Sequence, residues 1–202
     1  MISRILFITT FLITSTLFGQ KNEPTTFDGF FIGVEAGNQY LYGGAQVDDV
    51  ETIGDGNVFI FGGLIGWRNS FENRLNLGVE LQVNQPFGEF TNSENPDGSI
   101  VEYEIDLQTA LQFNFGLTFG SAQKSLIYGY FAVNQTRFNI EITGPDGHDS
   151  QSDFENFGRV GIAYEYNFFN SFSARAMLGT SMDGLEGTNN GLDTKISVIY
   201  TL

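Results

Sequence analysis

The chain has 202 residues, a formal net charge of −15 and no cysteine. The acidic balance argues against a nucleic-acid partner, because binding to phosphates needs basic patches. Without cysteine the chain has no disulfide, no thiol chemistry and no lipid anchor on an N-terminal cysteine. Its 25 glycines and 15% aromatic residues, with only 16% charged residues, favour one all-β domain.

The first 19 residues are typical of a secretory signal peptide. Arg4 supplies the positive start, residues 5–18 form an apolar stretch, and Gly19 is a small residue suited to the position before a cleavage site. The apolar stretch is shorter than the roughly 20 residues of a spanning helix. If the mature chain is bound to a membrane, strands must therefore hold it there.

Alternation of apolar and polar residues marks eight segments along the rest of the chain. Successive side chains of a strand point to opposite faces, so each segment predicts a strand with one apolar and one polar face. The predicted strands cover residues 29–40, 58–68, 74–84, 101–119, 126–142, 154–168, 172–180 and 192–202. The second strand is apolar on both parities, and its apolar face is assigned to Phe59, Phe61, Ile65 and Trp67.

The fourth and fifth segments carry the predictions that depend most on register. In the fourth segment every odd residue from Val101 to Phe119 is assigned to one continuous apolar face. In the fifth segment the even residues are assigned to the apolar face and the odd residues to the polar face. The even set is Leu126, Tyr128, Tyr130, Phe138 and Ile140, and the odd set is Gly129, Gln135, Arg137 and Asn139.

The connections between the segments alternate in length. Short turns join segments 2–3, 4–5 and 6–7, whereas the other connections are longer and acidic, and each contains an Asp-Gly pair that favours turns. This layout is typical of a transmembrane barrel. The apolar face of segments 3–8 carries no charge, strand glycines cluster on the polar face, and the many bulky apolar side chains would not fit in an eight-stranded lumen. We therefore predict an all-β, eight-stranded antiparallel up-and-down transmembrane β-barrel with its apolar face towards lipid.

Several features resemble the small outer-membrane β-barrel family, which includes the transmembrane domain of outer-membrane protein A and outer-membrane protein X. They are the signal sequence, a glycine-rich first strand at residues 29–34 and an alternating last strand. The C-terminal assembly signal of the family is a polar residue, a glycine and two hydrophobic or aromatic residues. The corresponding positions here are Lys195, Ser197, Tyr200 and Leu202, with serine in place of the glycine and leucine in place of the usual final phenylalanine.

The resemblance implies insertion into the cell outer membrane by the barrel assembly machinery, with outer-membrane lipid around the barrel and the long loops facing outward. The expected organisation is a signal peptide at residues 1–19, a short periplasmic leader at residues 20–26 and an outer-membrane barrel domain at residues 27–202. The acidic loops lack the twelve-residue spacing of an EF-hand calcium loop. No metal and no cofactor is predicted.

Six charged residues of the polar face are predicted to meet inside the barrel near mid-height. They are Glu35, Glu80, Arg159, Glu165, Arg175 and Lys195. Three acids and three bases in a narrow lumen are expected to pair, because unpaired buried charge is strongly destabilising. We interpret them as a structural plug and predict no general porin conductance, since side chains fill an eight-stranded lumen. A narrow solute channel is the alternative interpretation.

The fourth segment is longer than the 9–11 residues with which a strand spans a membrane. We predict that residues 101–106 and the facing residues 137–142 project outward as a ribbon that exposes Glu102, Glu104 and Asp106. Exposed strand edges can add a strand from a partner. The predicted function is therefore a structural or surface-interaction role through acidic extracellular surfaces, with an extracellular protein as the candidate partner.

Two further alternatives stay open. A lipid-modifying barrel enzyme would place a histidine at the membrane edge, and the only histidine, His148, lies in a predicted loop beside Asp149 and Ser150. Proximity in sequence does not make a catalytic triad, so no enzyme activity is predicted. A soluble ligand-binding barrel similar to a lipocalin would point the same apolar face inward and would need no detergent.

Overall fold

The computed structural model describes residues 26–47, 50–92, 98, 100–144, 147–182 and 192–202. The predicted signal peptide and all but the last residue of the predicted leader lie outside these residues. Within the described part of the chain, no helix is both long enough and apolar enough to cross a bilayer.

Nine antiparallel strands and one short 3-10 turn, Ser121–Gln123, make up the described fold. The strands are β1 (Gly29–Val47), β2 (Val50–Ser70), β3 (Leu75–Phe87), β4 (Glu89–Asn92), β5 (Ile100–Phe119), β6 (Ser125–Gly144), β7 (Gly147–Phe169), β8 (Phe172–Met182) and β9 (Leu192–Thr201). Gly88, at a φ of +140° that favours glycine, separates β3 from β4 within one barrel strand. Consecutive strands pair with each other except β3 and β4, which both pair with β5, and β1 pairs with β9. The prediction of a closed eight-stranded up-and-down barrel is confirmed.

The outer surface of the barrel is a broad apolar band. Large apolar side chains that are at least one third exposed point outward from β1, β2, β3, β5, β6, β7, β8 and β9, among them Phe30, Phe61, Leu81, Phe115, Ile127, Ile162, Leu178 and Ile196. A soluble protein rarely exposes a contiguous apolar surface of this extent. Closed antiparallel barrels with an outward apolar band are the architecture of outer-membrane proteins. The chain therefore has the architecture of a small transmembrane β-barrel.

The outward and inward faces of β1, β2, β3, β7, β8 and β9 follow the predicted parities. In β2, for example, Phe59, Phe61 and Ile65 are about half exposed, whereas Ile60 is buried. The register chosen for this strand, which is apolar on both parities, is therefore confirmed.

The predicted faces of β6 are wrong. Its even residues Leu126, Tyr128, Tyr130, Phe138 and Ile140 are buried in the barrel, and the odd residues Gly129, Gln135 and Arg137 are exposed. The odd parity also carries the apolar residues that meet lipid, which are Ile127, Phe131 and Val133. Tyrosine can point inward because its ring fills space while its hydroxyl reaches a hydrogen-bonding partner.

The prediction of one continuous apolar face from Val101 to Phe119 is also wrong at its outer end. The pairing of β5 with β6 shifts between Ile105 and Leu107, so Asp106 forms a bulge. A bulge of one residue reverses the parity of the residues beyond it. Leu107 and the odd residues after it face lipid as predicted, whereas Val101 and Ile105 turn inward and are buried.

The outer ends of β5, β6 and β7 continue beyond the apolar band as a sheet, together with β4. We call this sheet, formed by β4, residues 100–106, residues 137–144 and residues 147–154, the outer extension. The ribbon was predicted to expose strand edges, but β4 pairs with β5 from Val101 to Glu104, and β7 pairs with β6 along residues 137–144. Edge strands as short as β4 are one way in which proteins limit unwanted strand addition.

Candidate functional site

Arg175 lies at the centre of an ion-pair network in the lumen. Its guanidinium donates to both carboxylate oxygens of Glu80, at 2.6 and 3.1 Å, and to Glu35 at 3.4 Å. Lys195 Nζ donates to Glu35 at 3.1 Å and to the side-chain oxygen of Gln82 at 3.0 Å. All five side chains are buried. Two acids and two bases therefore neutralise one another where an unpaired charge would be strongly destabilising.

Neutral side chains complete the hydrogen bonding of this central network. The hydroxyl oxygens of Tyr128 and Ser197 accept hydrogen bonds from Arg175 at 3.0 and 3.2 Å. The side-chain amide of Asn84 donates to Glu35 at 2.8 Å. Every nitrogen of the Arg175 guanidinium thus donates to a protein oxygen, and the inward position of Tyr128 is part of that arrangement.

A second ion pair lies in the lumen at the short-turn end. Arg68 donates to Glu165 at 2.8 Å and to the Thr201 hydroxyl at 3.1 Å. The guanidinium carbon of Arg68 lies 5.0 and 4.6 Å from the ring centroids of Phe27 and Phe31, within the range of a cation–π interaction. Phe27 precedes β1 and is fully buried, so the start of the barrel domain fills this end of the lumen.

A third ion pair lies towards the loop end. Arg159 Nε is 3.0 Å from Asp193 Oδ2, and both side chains are buried. The other carboxylate oxygen of Asp193 accepts a hydrogen bond from the backbone N–H of Tyr40 at 2.9 Å, and Arg159 lies over the ring of Phe157. The ion pair is close but not aligned as a hydrogen bond, so none of the Arg159 nitrogens has a hydrogen-bond partner among the described residues.

An apolar cluster lies at the loop end of the lumen. It brings together inward side chains from three strands that surround the mouth, and its members are Val58, Ile60, Val101, Ile105, Phe138 and Ile140. The two members from β5 point inward because of the bulge at Asp106, and the two from β6 point inward because of its reversed parity. The two errors in the predicted register thus have one structural result, which is this apolar cap.

The structure brings together four of the six charged residues predicted to meet in the lumen, namely Glu35, Glu80, Arg175 and Lys195. The other two, Glu165 and Arg159, are also buried in the lumen but pair at separate levels with Arg68 and Asp193, which the sequence analysis did not single out. The inward parity of both partners was visible in the sequence. Their pairing depends on the stagger between tilted strands, which alternation does not reveal.

The remaining predicted positions are placed as follows. Lys195 and Ser197 point into the lumen, whereas Tyr200 and Leu202 point outward; the geometry is that of an ordinary barrel strand, and the assembly role stays a prediction. Glu102 and Glu104 are exposed on the outer extension, and Asp106 pairs with Arg137 at 3.3 Å at its base.

The structure also places the candidate catalytic and metal-ligating groups. His148 is exposed on β7, with Nδ1 3.3 Å from the Thr143 hydroxyl, and strand alternation directs Asp149 to the opposite face. Among the described residues, no group of three or more acidic or histidine side chains is arranged to hold a metal ion.

Comparisons with known proteins give structural likenesses only: no protein-family model and no curated protein matches the chain. A crystal structure of Ail, the attachment invasion locus protein of Yersinia pestis, in complex with the heparin analogue sucrose octasulfate is similar at a TM-score of 0.49 and 13% identity, over 86% of this chain and 97% of that one. The N-terminal β-barrel domain of Pseudomonas aeruginosa OprF has a TM-score of 0.40 and 16% identity, over 86% and 97% of the two chains. Neisserial surface protein A has a TM-score of 0.41 and 11% identity, over 87% and 98%. No function is carried over from likenesses at these TM-scores.

Proposed function

We propose that this chain is a non-conducting barrel of the outer membrane that presents the outer extension at the cell surface, in a structural or surface-interaction role. The observation that supports the proposal is the filling of the lumen at successive levels. Phe27 and the Arg68–Glu165 pair fill the short-turn end, the network around Arg175 fills the middle, and the apolar cap fills the loop end. An eight-stranded lumen with this content is expected to leave no continuous aqueous path.

Planar-bilayer recording tests the sealed lumen directly. The mature chain, refolded in detergent and inserted into a bilayer, is expected to give no stable single-channel currents, whereas a 16-stranded porin recorded in the same bilayers conducts. Stable, large single-channel currents from the purified barrel would overturn the proposal and favour the narrow-channel alternative.

The proposal further includes export by residues 1–19 and insertion with the outer extension on the outside of the cell. Because the chain has no cysteine, single-cysteine variants report topology without background. Glu102→Cys on the extension is expected to react with an impermeant maleimide in intact cells. Lys124→Cys, exposed beside a short turn, is expected to react only after the outer membrane is permeabilised. The opposite pattern would place the extension on the periplasmic side.

The outer extension supports the surface-interaction role by its charge. Glu102 and Glu141 are exposed and face each other across the β5–β6 pairing, and Glu104 lies on the same face. Like charges directly opposite one another destabilise a sheet, so a cationic partner would relieve repulsion as it binds. The candidate partner is therefore an extracellular protein with a basic surface.

Oligolysine peptide is a suitable probe of this face, because it carries the charge of such a partner without its shape. Binding is expected to fall as salt is raised, since exposed charges are screened within about 8–10 Å at physiological ionic strength. The triple variant Glu102→Lys, Glu104→Lys and Glu141→Lys is expected to lose binding, and Glu72→Lys at a short turn is the matched control. Equal binding by both variants would show that this face is not the interacting surface.

A further inference from the structure

A ring of polar side chains with buried, unpartnered atoms lies in the lumen between the central network and the apolar cap. Its members are Gln39, Asn84, Gln108, Asn134, Arg159, Ser181 and Asp193. Seven barrel strands contribute one residue each, and Ile60 of the apolar cap lies at a similar level on the remaining strand, β2. We call this set the polar ring.

The pairing register places the members of the ring at one level. Because barrel strands tilt, residues at equal height are offset along the strands. The stagger can be read by starting at Gly29 of β1 and stepping each time to the paired residue on the next strand. One circuit of the barrel then passes through Arg68, Gly78, Asn114, Tyr130, Gly161, Gly179 and Asp193. The β1–β9 pairing ends with Asn38 beside Thr194, and continuing this register by one residue places Asp193 at the level of residue 39. One circuit therefore advances from residue 29 to residue 39. When the position of each residue along the barrel axis is corrected for this stagger, the ring residues lie within roughly 6 Å of one another along that axis.

The ring holds buried hydrogen-bonding atoms that have no partner among the described residues. Unpartnered donors are found on Gln39, Asn134 and Arg159, unpartnered acceptors on Gln39, Asn84 and Gln108, and the Ser181 hydroxyl can act as either. Gln39 is fully buried, and Asn134 and Arg159 are each no more than two per cent exposed. Buried polar atoms of this kind are almost always satisfied by a partner. Their concentration at one level of the lumen therefore points to a guest bound there.

The charges of the ring decide the chemical class of the guest. Arg159 is the only base and Asp193 the only acid of the ring, and they lie 3.0 Å apart. An added anion or cation would therefore stand uncompensated in a buried site, which is strongly unfavourable. Donors and acceptors are both free, which suits a molecule that offers both. Eight-stranded barrels can hold one small ligand.

We propose that the polar ring is a binding site for one small uncharged molecule that carries hydroxyl or amide groups. The apolar cap separates this site from the loop side, and the network around Arg175 separates it from the short-turn side. The site is independent of the surface-interaction role, because none of its residues lies on the outer extension.

Side-chain amide signals in the NMR spectrum of the detergent-refolded, ¹⁵N-labelled barrel provide the test. Glycerol and urea serve as uncharged probes and acetate as a charged probe of similar size, each present during refolding so that the closed lumen is no barrier. Glycerol or urea is expected to shift the Gln39 and Asn134 NH₂ signals in a saturable manner, and acetate is not.

The matched variants separate binding in the ring from general solvent effects. Gln39→Leu, which keeps the side-chain size, is expected to abolish the saturable shift of the Asn134 signal. Gln135→Leu changes an exposed residue on the outer face of β6 and is expected to leave it intact. Ser181→Ala is a second ring variant with a smaller volume change, expected to weaken the shift at least threefold. No saturable shift with either uncharged probe, a saturable shift with acetate alone, or an unchanged shift in Gln39→Leu would overturn the proposal.

Discussion

The central network and the polar ring are neighbouring levels of the same lumen, yet they satisfy their polar groups differently. Every guanidinium nitrogen of Arg175 donates to a protein oxygen. Arg159, in the next level outward, has an ion pair with Asp193 but no aligned hydrogen bond within the described part of the chain. Both levels are buried and both are neutral overall. The comparison teaches that charge balance and hydrogen-bond satisfaction are separate requirements: the Arg175 guanidinium meets both, whereas the Arg159 guanidinium meets only the first.

The largest effect is expected from Arg175→Ala in the central network. The substitution leaves Glu80 and Glu35 with one base, Lys195, for two buried acids. Breaking a buried ion pair by removal of one partner costs about 3–5 kcal/mol. Urea unfolding of the folded barrel in detergent, followed by the heat-dependent shift in gel mobility, measures the change. A loss below about 1 kcal/mol would contradict the central role given to Arg175.

An intermediate effect is expected from Gly179→Ala, at the boundary between the two levels. A Cβ at this position would collide with the Tyr130 hydroxyl, and overpacking of a filled interior costs about 1–3 kcal/mol. Gly129→Ala, on the outer face with no close neighbour but a carbonyl oxygen at 3.8 Å, is the control and is expected to be close to neutral. Adding Tyr130→Phe, which removes the hydroxyl, should recover part of the loss. If Tyr130→Phe recovers none of the lost stability, the added Cβ collides with the backbone and not with the Tyr130 hydroxyl.

A matched pair of glutamines compares the two levels directly. Gln82→Leu removes partners of Lys195 and Glu80 in the central network, and leaving buried polar groups unpaired costs about 1–3 kcal/mol. Gln39→Leu in the polar ring removes an amide that has no hydrogen-bond partner among the residues that the structure describes, so the unfolding free energy should change by less than about 1 kcal/mol in either direction. Equal losses of unfolding free energy in both variants would contradict the difference between the central network and the polar ring.

The smallest effect is expected from Arg137→Ala on the outer surface. Its ion pair with Asp106, at 3.3 Å, joins two side chains that are each 44% exposed. Exposed ion pairs contribute about 0–1 kcal/mol. The same urea unfolding experiment should therefore separate this variant clearly from Arg175→Ala, and a comparable loss in both would show that burial does not decide the strength of these pairs.

The fold was predictable from the sequence wherever one parity of a strand is mainly apolar and the other is mainly polar. Strands β3, β8 and β9 meet this condition, and their outward residues, such as Leu81, Leu178 and Val198, are exposed as predicted. In β6 both parities are largely apolar near the short-turn end. Which parity of β6 faces the lumen there depends on Tyr128 and Tyr130, whose polar hydroxyls let them lie inside the barrel. Glycines such as Gly161 and Gly179 leave room in the lumen.

The apolar cap could not be predicted because alternation does not reveal a bulge. Val101, Tyr103 and Ile105 continue the odd parity of the residues after them, so the shift at Asp106 left no trace in the pattern. The polar ring could not be predicted from the sequence for a related reason. Inward parity can be read from each strand, but residues from separate strands share a level only once the stagger of the closed barrel is known.

The most direct test of the account is the orientation of β6, on which both the closed lumen and the lipid-facing surface depend. Single cysteines at Ile127, Tyr128, Phe131 and Ala132, each labelled with a fluorophore, can be reconstituted into bilayers that contain brominated lipid. We predict strong quenching at positions 127 and 131 and weak quenching at positions 128 and 132. The reverse pattern would contradict the account, because it would turn Tyr128 towards lipid and remove it from Arg175.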